Sequence, residues 1–160
     1  MSAPAVDDVD RALVCRRLWN VCPLTVCPPL YYFRHDGDPI PKERPRKGKG
    51  GRVYTPRRTV KAEADLGFRF RMARLGDPLD GKIALVAIFF GGRGDSDNLL
   101  KLVMDAGTKA AAWGDDRQII ASAAYIELPA AIPRTLVAWC EVAAPAVEVP
   151  PLQSKVIDGR

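Results

Sequence analysis

The chain has a single histidine, His35, and only four cysteines, Cys15, Cys22, Cys27 and Cys140. No two cysteines stand in a close C-x-x-C pair. A zinc site built from Cys15, Cys22, Cys27 and His35 is the one combination the composition offers, and its spacing argues against it. Ordinary reduced thiols are the expectation, in keeping with a cytoplasmic setting. The lone histidine lies far along the chain from the acidic stretch described below, which disfavours histidine-based catalysis. No apolar run approaches the roughly 20 residues of a membrane span. The first residues carry Asp7, Asp8 and Asp10 and no basic leader, so no secretory signal is expected. No internal repeat is visible.

What is present is ordinary in bulk and uneven in distribution. The 160 residues are 48% hydrophobic and 27% charged, which suits one globular domain with its own core. The formal net charge is +5, favouring an anionic partner. From Arg34 to Arg58 there are nine Lys or Arg against three acids. Within this span, Pro41 to Gly51 holds too many Pro, Gly and charges for a packed element and reads as a flexible basic loop. A solvated surface linker is the plain reading. Nucleic-acid contact is the sharper one, with Lys42, Arg44, Arg46, Lys47, Lys49 and Arg52 neutralising phosphates without reading sequence. Tyr54 either packs or stacks on a base.

The informative stretch runs from Gly91 to Ile120 and follows the apolar run Ile83 to Phe90, which reads as a buried strand. It contains Asp95, Asp97, Asp105, Asp115 and Asp116, with Lys101 among them. Carboxylates massed at the end of a buried strand repel one another unless a cation sits between them, and hard oxygen donors suit Mg²⁺ or Mn²⁺. Asp97 is a candidate N-cap for a helix running to about Ala112, with Leu99, Leu100, Val103, Met104 and Ala111 as its apolar face. Asp97, Lys101 and Asp105 recur at i, i+4 and i+8 and form a separate polar stripe. Alone, Asp95 and Asp97 are also compatible with a turn and a cap. An EF-hand is excluded, because counting from Asp95 it requires Gly at Leu100 and Glu at Ala106.

The segment DSDNLLKLVMDAGTKAAAWGDDRQI resembles the signature of the RusA-type Holliday-junction resolvases. A second segment, Pro39 to Pro56 (PIPKERPRKGKGGRVYTP), resembles that family's basic P-x-P-K-x-R-P-R…YTP stretch. With the following strands, the resemblance covers about residues 30 to 143. It implies metal ligation by Asp95, Asp97 and Asp116, and a role in cleavage for Lys101 beside the scissile phosphate. It implies an endodeoxyribonuclease dependent on Mg²⁺, or Mn²⁺, that cuts four-way or other branched DNA as a tight homodimer. A bacterial or phage-borne origin accords with the resemblance. Asp115 is expected to orient its turn, Asp105 to pair with Lys101 or support the site, and Trp113 to anchor the core. Gln118 and Asn98 are hydrogen-bonding candidates near the site, and Arg93 is a candidate for balancing carboxylates or phosphate. A non-catalytic branched-DNA-binding or architectural module is the alternative.

Around the motif, a short amphipathic helix is expected over about 7–19, broken by Pro23, Pro28 and Pro29. An aromatic strand follows at Leu30 to Arg34, with a turn at Asp36-Gly37-Asp38-Pro39. A helix is expected over Arg58 to Arg74, then strands over 82–90, near 119–128 and near 135–143. The linker Pro129 to Pro133 suits a turn between antiparallel strands. The expectation is a single α/β (α+β) domain, one mixed sheet with helices packed on it. Residues 1–28 form an extension, 29–143 the domain and 144–160 a loose tail.

Overall fold

The computed structural model describes residues 6–22, 29–127 and 131–142. Cys27, the predicted breaks at Pro23 and Pro28, the first part of the 129–133 linker and the predicted tail lie outside them. The elements in order are α1 (Val6–Val21), β1 (Tyr31–Asp36), β2 (Arg46–Lys47), β3 (Val53–Tyr54), α2 (Arg57–Ala73), β4 (Lys82–Phe90), α3 (Ser96–Lys109), β5 (Ile119–Glu127) and β6 (Arg134–Val142). A one-turn 3₁₀ helix, Asp116–Gln118, precedes β5. Among the described residues, no helix is long and apolar enough to cross a membrane.

The fold is organised by β4. Its run KIALVAIFF is the most apolar of the chain, and Ile83 to Phe89 are all buried. A strand without a polar face is stable only when both faces are covered. It is therefore central in a four-stranded mixed sheet of order β1-β6-β4-β5. β6 pairs with it antiparallel and β5 parallel, while β1 adds antiparallel to β6. The alternation of β4 divides the core. Ile83, Leu85, Ala87 and Phe89 join Leu66 and Phe70 of α2 and Leu99, Leu102 and Val103 of α3 on one face. Ala84, Val86 and Ile88 join Val14, Leu18 and Cys22 on the other. Each apolar side chain so buried contributes about 1.5–3 kcal/mol before conformational entropy is deducted.

The predicted fold class holds, with four local corrections. β5 and β6 run in opposite directions but are not neighbours; β4 lies between them and pairs its backbone with one on each edge, while the helices cover its two apolar faces. Asp36, expected in a turn, ends β1 opposite Arg134. The basic stretch is not an unstructured loop: β2 and β3 pair as a short antiparallel ribbon, Arg46 against Tyr54 and Lys47 against Val53. Its turn is closed by Gly48 N–H to Arg52 O at 2.9 Å and Gly51 N–H to Gly48 O at 3.1 Å. Gly50 and Gly51 supply the positive φ, 87° and 78°, that this reversal requires. Finally, α3 stops at Lys109 rather than Ala112. Ala111 takes φ 57°, while Ala112 N–H reaches Gly107 O and Ala111 N–H reaches Thr108 O. This is a Schellman cap with alanine where glycine is usual.

The N-terminal extension is part of the packed domain. Val14, Leu18 and Cys22 recur every fourth residue and cover one face of the sheet. Asp10, 3% exposed, anchors the helix. Arg134 meets it with two hydrogen bonds, Nε to Oδ2 at 2.8 Å and Nη2 to Oδ1 at 2.9 Å. Arg34 Nη1 adds a third at 2.9 Å. The zinc combination is not assembled among the described residues: Cys15 and Cys22 pack on the α1 face, whereas His35 lines a small cavity beside Leu66, Phe89 and Leu99 on the opposite face.

Candidate active site

The site is built along α3. The apolar spacing of Leu99, Leu102, Val103 and Ala106 turns one side of this helix into the core. The polar stripe therefore faces outward, and it carries Asp97, Lys101 and Asp105, continued by Thr108. The helix starts two residues earlier than expected. Asp95, not Asp97, occupies the N-cap position with extended φ −78° and ψ 146°, and its side chain makes no capping hydrogen bond. Its backbone carbonyl accepts from Leu99 N–H at 3.1 Å. Asp95 and Asp97 are both exposed, with their carboxylates next to the helix N-terminus, where negative charge is favoured.

The other end of the stripe is a compact charge cluster. Lys101 Nζ lies 3.6 Å from Asp105 Oδ1 and 3.4 Å from Asp116 Oδ2. Asp105 also pairs with Lys42 from the basic stretch. The Lys101 ammonium is held above its ordinary pKa, first by the charge of Asp105 and then by Asp116. Its side chain is about half exposed (52%), so the stabilisation is modest and screened. Asp116 arrives from the 3₁₀ turn. Thr108 Oγ1 donates to Asp116 Oδ1 at 2.5 Å and accepts from Trp113 Nε1 at 2.9 Å.

The turn that presents Asp116 is fixed by its neighbours. Asp115 accepts from Arg117 N–H at 2.7 Å and forms a reciprocal capping box with Gln118. Gln118 Oε1 accepts from the backbone N–H of Gly114 and Asp115, while its Nε2 donates to the carbonyls of Leu79 and Gly81. Gln118 is thus a clasp between β5 and the segment leading into β4. Trp113 is fully buried, stacked edge-on to Phe70 and Trp139. Gly107 makes room for it: a Cβ there would lie 2.3 Å from Trp113 Cζ2 and Cη2.

The basic stretch docks beside Asp95. Gly92 and Gly94 have φ of 84° and 136°. A Cβ at Gly92 would meet Pro39 O at 2.9 Å, and one at Gly94 would meet Pro41 Cβ at 2.8 Å. The GGRG and PIP segments therefore require each other. Lys42 N–H bonds to Asn98 O at 3.0 Å and extends this contact onto α3. An open cleft of about 800 Å³ results, lined by Pro39, Pro41, Arg46, Arg58, Gly92 and Arg93 together with Asp38 and Glu43. Arg44, Arg46, Lys47, Lys49 and Arg52 are exposed on or beside the ribbon. Arg46 is paired with Glu43 at 2.6 Å. Lys42 differs from these: it points at Asp105 rather than outward. Tyr54 is 50% exposed.

The structure thus brings Asp116, Lys101 and Asp105 together and sets Asp95 and Asp97 at the opposite end of the stripe. Eight residues separate Asp97 from Asp105, about 12 Å of helical rise. Among the described residues, no three His, Cys, Asp or Glu side chains converge into a cation site. The donor set is nonetheless of the hard-oxygen kind that Mg²⁺ and Mn²⁺ accept, and the Asp105–Asp116 pair already draws in positive charge through Lys101. The sequence reading missed Thr108, although its place three residues after Asp105 puts it on the same stripe. It also missed Arg58, which only the fold carries to the cleft.

An acid–lysine cluster on a mixed-sheet domain, with a basic ribbon alongside, is a surface suited to phosphodiesters. The family model for endodeoxyribonuclease RusA matches residues 36–138, from the last residue of β1 into β6. The chain belongs to this family, one of endodeoxyribonucleases that act on Holliday junctions. No curated protein matches the chain. Helix α1 and all but the last residue of β1 lie before the matched stretch.

Proposed function

We propose that this protein is a divalent-metal-dependent endodeoxyribonuclease that resolves four-way DNA junctions as a homodimer. The observation that carries the reading is the Lys101 ammonium held between Asp105 and Asp116, on the stripe that begins at Asp97, in a chain of this family. Asp95, Asp97 and Asp116 would hold Mg²⁺, or Mn²⁺, through carboxylate oxygens. When bound, the ion supplies Lewis-acid stabilisation and a water of lowered pKa. Lys101, an ammonium at neutral pH and held in place by Asp105 and Asp116, sets a fixed positive charge where negative charge grows on the phosphate. Arg44 beside the ribbon and Lys47, Lys49 and Arg52 on it neutralise neighbouring phosphates and hold the duplex without reading its sequence. No side chain acts as a covalent nucleophile. A four-way junction is two-fold symmetric, so a C2 dimer presents two equivalent sites for paired cuts.

The test is cleavage of a synthetic four-way junction with and without Mg²⁺, beside linear duplex and flap substrates, for the wild type and Asp97→Asn. Metal-dependent cutting of the junction, lost in the variant while junction binding persists, is the expected result. A second reading is a branched-DNA-binding module without turnover. It is favoured by the lack, among the described residues, of three carboxylates converging on one point and by the pairing of Asp105 with both Lys42 and Lys101. Junction binding indifferent to metal, with no nicking over a range of Mg²⁺ and Mn²⁺, would establish that reading instead.

A further inference from the structure

We propose that Thr108 is a positioning residue that fixes the Asp116 carboxylate for cation binding, with the aromatic core as its mount. The inference rests on the metal-dependent reading above and deepens it. Trp113 Nε1 can only donate, so its contact with Thr108 Oγ1 at 2.9 Å makes the threonine oxygen an acceptor there. The hydroxyl proton is then left for Asp116 Oδ1 at 2.5 Å, since an ionised carboxylate only accepts. The chain Trp113 N–H to Thr108 O–H to Asp116 therefore has one direction.

Its two ends differ in rigidity. Trp113 is fully buried, closed in by Gly107 and by the rings of Phe70 and Trp139. Asp116 sits in a three-residue turn and its side chain is 31% exposed. A carboxylate on so short a turn would otherwise sample several rotamers. The hydrogen bond to Oδ1 removes that freedom and leaves Oδ2 facing Lys101 at 3.4 Å. Supports of this kind, one shell behind a ligand, typically change metal affinity or activity by 10–100-fold when removed. Serine can reproduce the bond; valine, of the same shape, cannot.

The experiment compares wild type, Thr108→Val and Thr108→Ser in three measurements: thermal melting, Mn²⁺ binding by electron paramagnetic resonance without DNA, and the Mg²⁺ dependence of junction cleavage. In Thr108→Val, a 10- to 100-fold rise in the Mn²⁺ dissociation constant and in half-saturating Mg²⁺ is expected. Junction affinity in EDTA should be unchanged, and Thr108→Ser should stay near wild type. Wild type that binds Mn²⁺ and cuts, with a folded Thr108→Val variant of unaltered metal dependence, overturns the positioning role alone. A Thr108→Ser variant as impaired as Thr108→Val also overturns it, because the hydroxyl would then be irrelevant. Wild type that neither binds Mn²⁺ nor cuts overturns the metal reading itself and the role built on it.

Discussion

Replacing Asp10 by alanine should destabilise the fold far more than an ordinary helix substitution. The Asp10 carboxylate is 4% exposed and meets two guanidiniums whose side chains are 14% and 18% exposed. Breaking a buried pair by deleting one partner costs about 3–5 kcal/mol, because the other charge stays buried and uncompensated. Here the lower end applies. Arg34 keeps Asp36 at 2.7 Å. Arg134 keeps the Ile132 carbonyl at 3.2 Å and the face of Phe90 at 3.8 Å. The expected loss is roughly 3 kcal/mol. At about 2–4 °C per kcal/mol for a chain of this size, that is a fall in melting temperature of about 6–12 °C. Urea unfolding of Asp10→Ala, Arg134→Met and the double variant measures it. The double variant should recover part of the loss, since no unpaired charge remains at that position. A loss below about 0.5 kcal/mol, the level of a surface change, would refute the clamp and with it the view that α1 is integral to the domain.

Two changes at the end of α3 should act in opposite directions. Ala111→Gly relieves φ 57° and should stabilise by up to about 1 kcal/mol in urea unfolding, the left-handed penalty less the added freedom of the unfolded chain. Gly107→Ala, despite a helix propensity gain of about 1 kcal/mol, should destabilise and shift Trp113 fluorescence, because its Cβ would meet the indole at 2.3 Å. His35 sets a pH dependence. Burial, aided by the charge of Arg69, holds its imidazolium below the ordinary pKa, with Asp65 and Asp36 opposing. The unfolded chain therefore binds the proton more tightly. This stability is fully present above about pH 6.5 and is lost as pH falls from there toward the folded pKa. Unfolding followed over that window should show a slope that His35→Gln flattens.

The strands and helices were legible because each obeys a local rule. The β4 apolar run and the 3.6-residue spacing of α3 state which surface must leave water. The acid-rich motif was legible for a different reason. Carboxylates at a strand end with a lysine one helical turn away are a costly local choice that stability alone does not favour. The ribbon was not legible, because four strand residues around a glycine turn carry too little hydrophobic pattern to distinguish them from loop. The N-cap was misplaced for a similar reason: Asp95, Ser96 and Asp97 are all competent caps, and the contact between Pro41 and Gly94 is non-local.

By itself the sequence determined the element types, the two-sided burial of β4, the family motif and the polar stripe from Asp97 to Asp105. Each follows from periodicity or residue chemistry within one segment. The tertiary structure alone decided that β4 separates β5 from β6 and that Lys42 answers Asp105. It also decided that Thr108 and the Trp113 indole hold Asp116, and that Asp10 fastens α1 to the sheet through Arg34 and Arg134. Those pairings join residues up to 124 positions apart, where chain entropy leaves contact to the packing of the whole core rather than to any local preference.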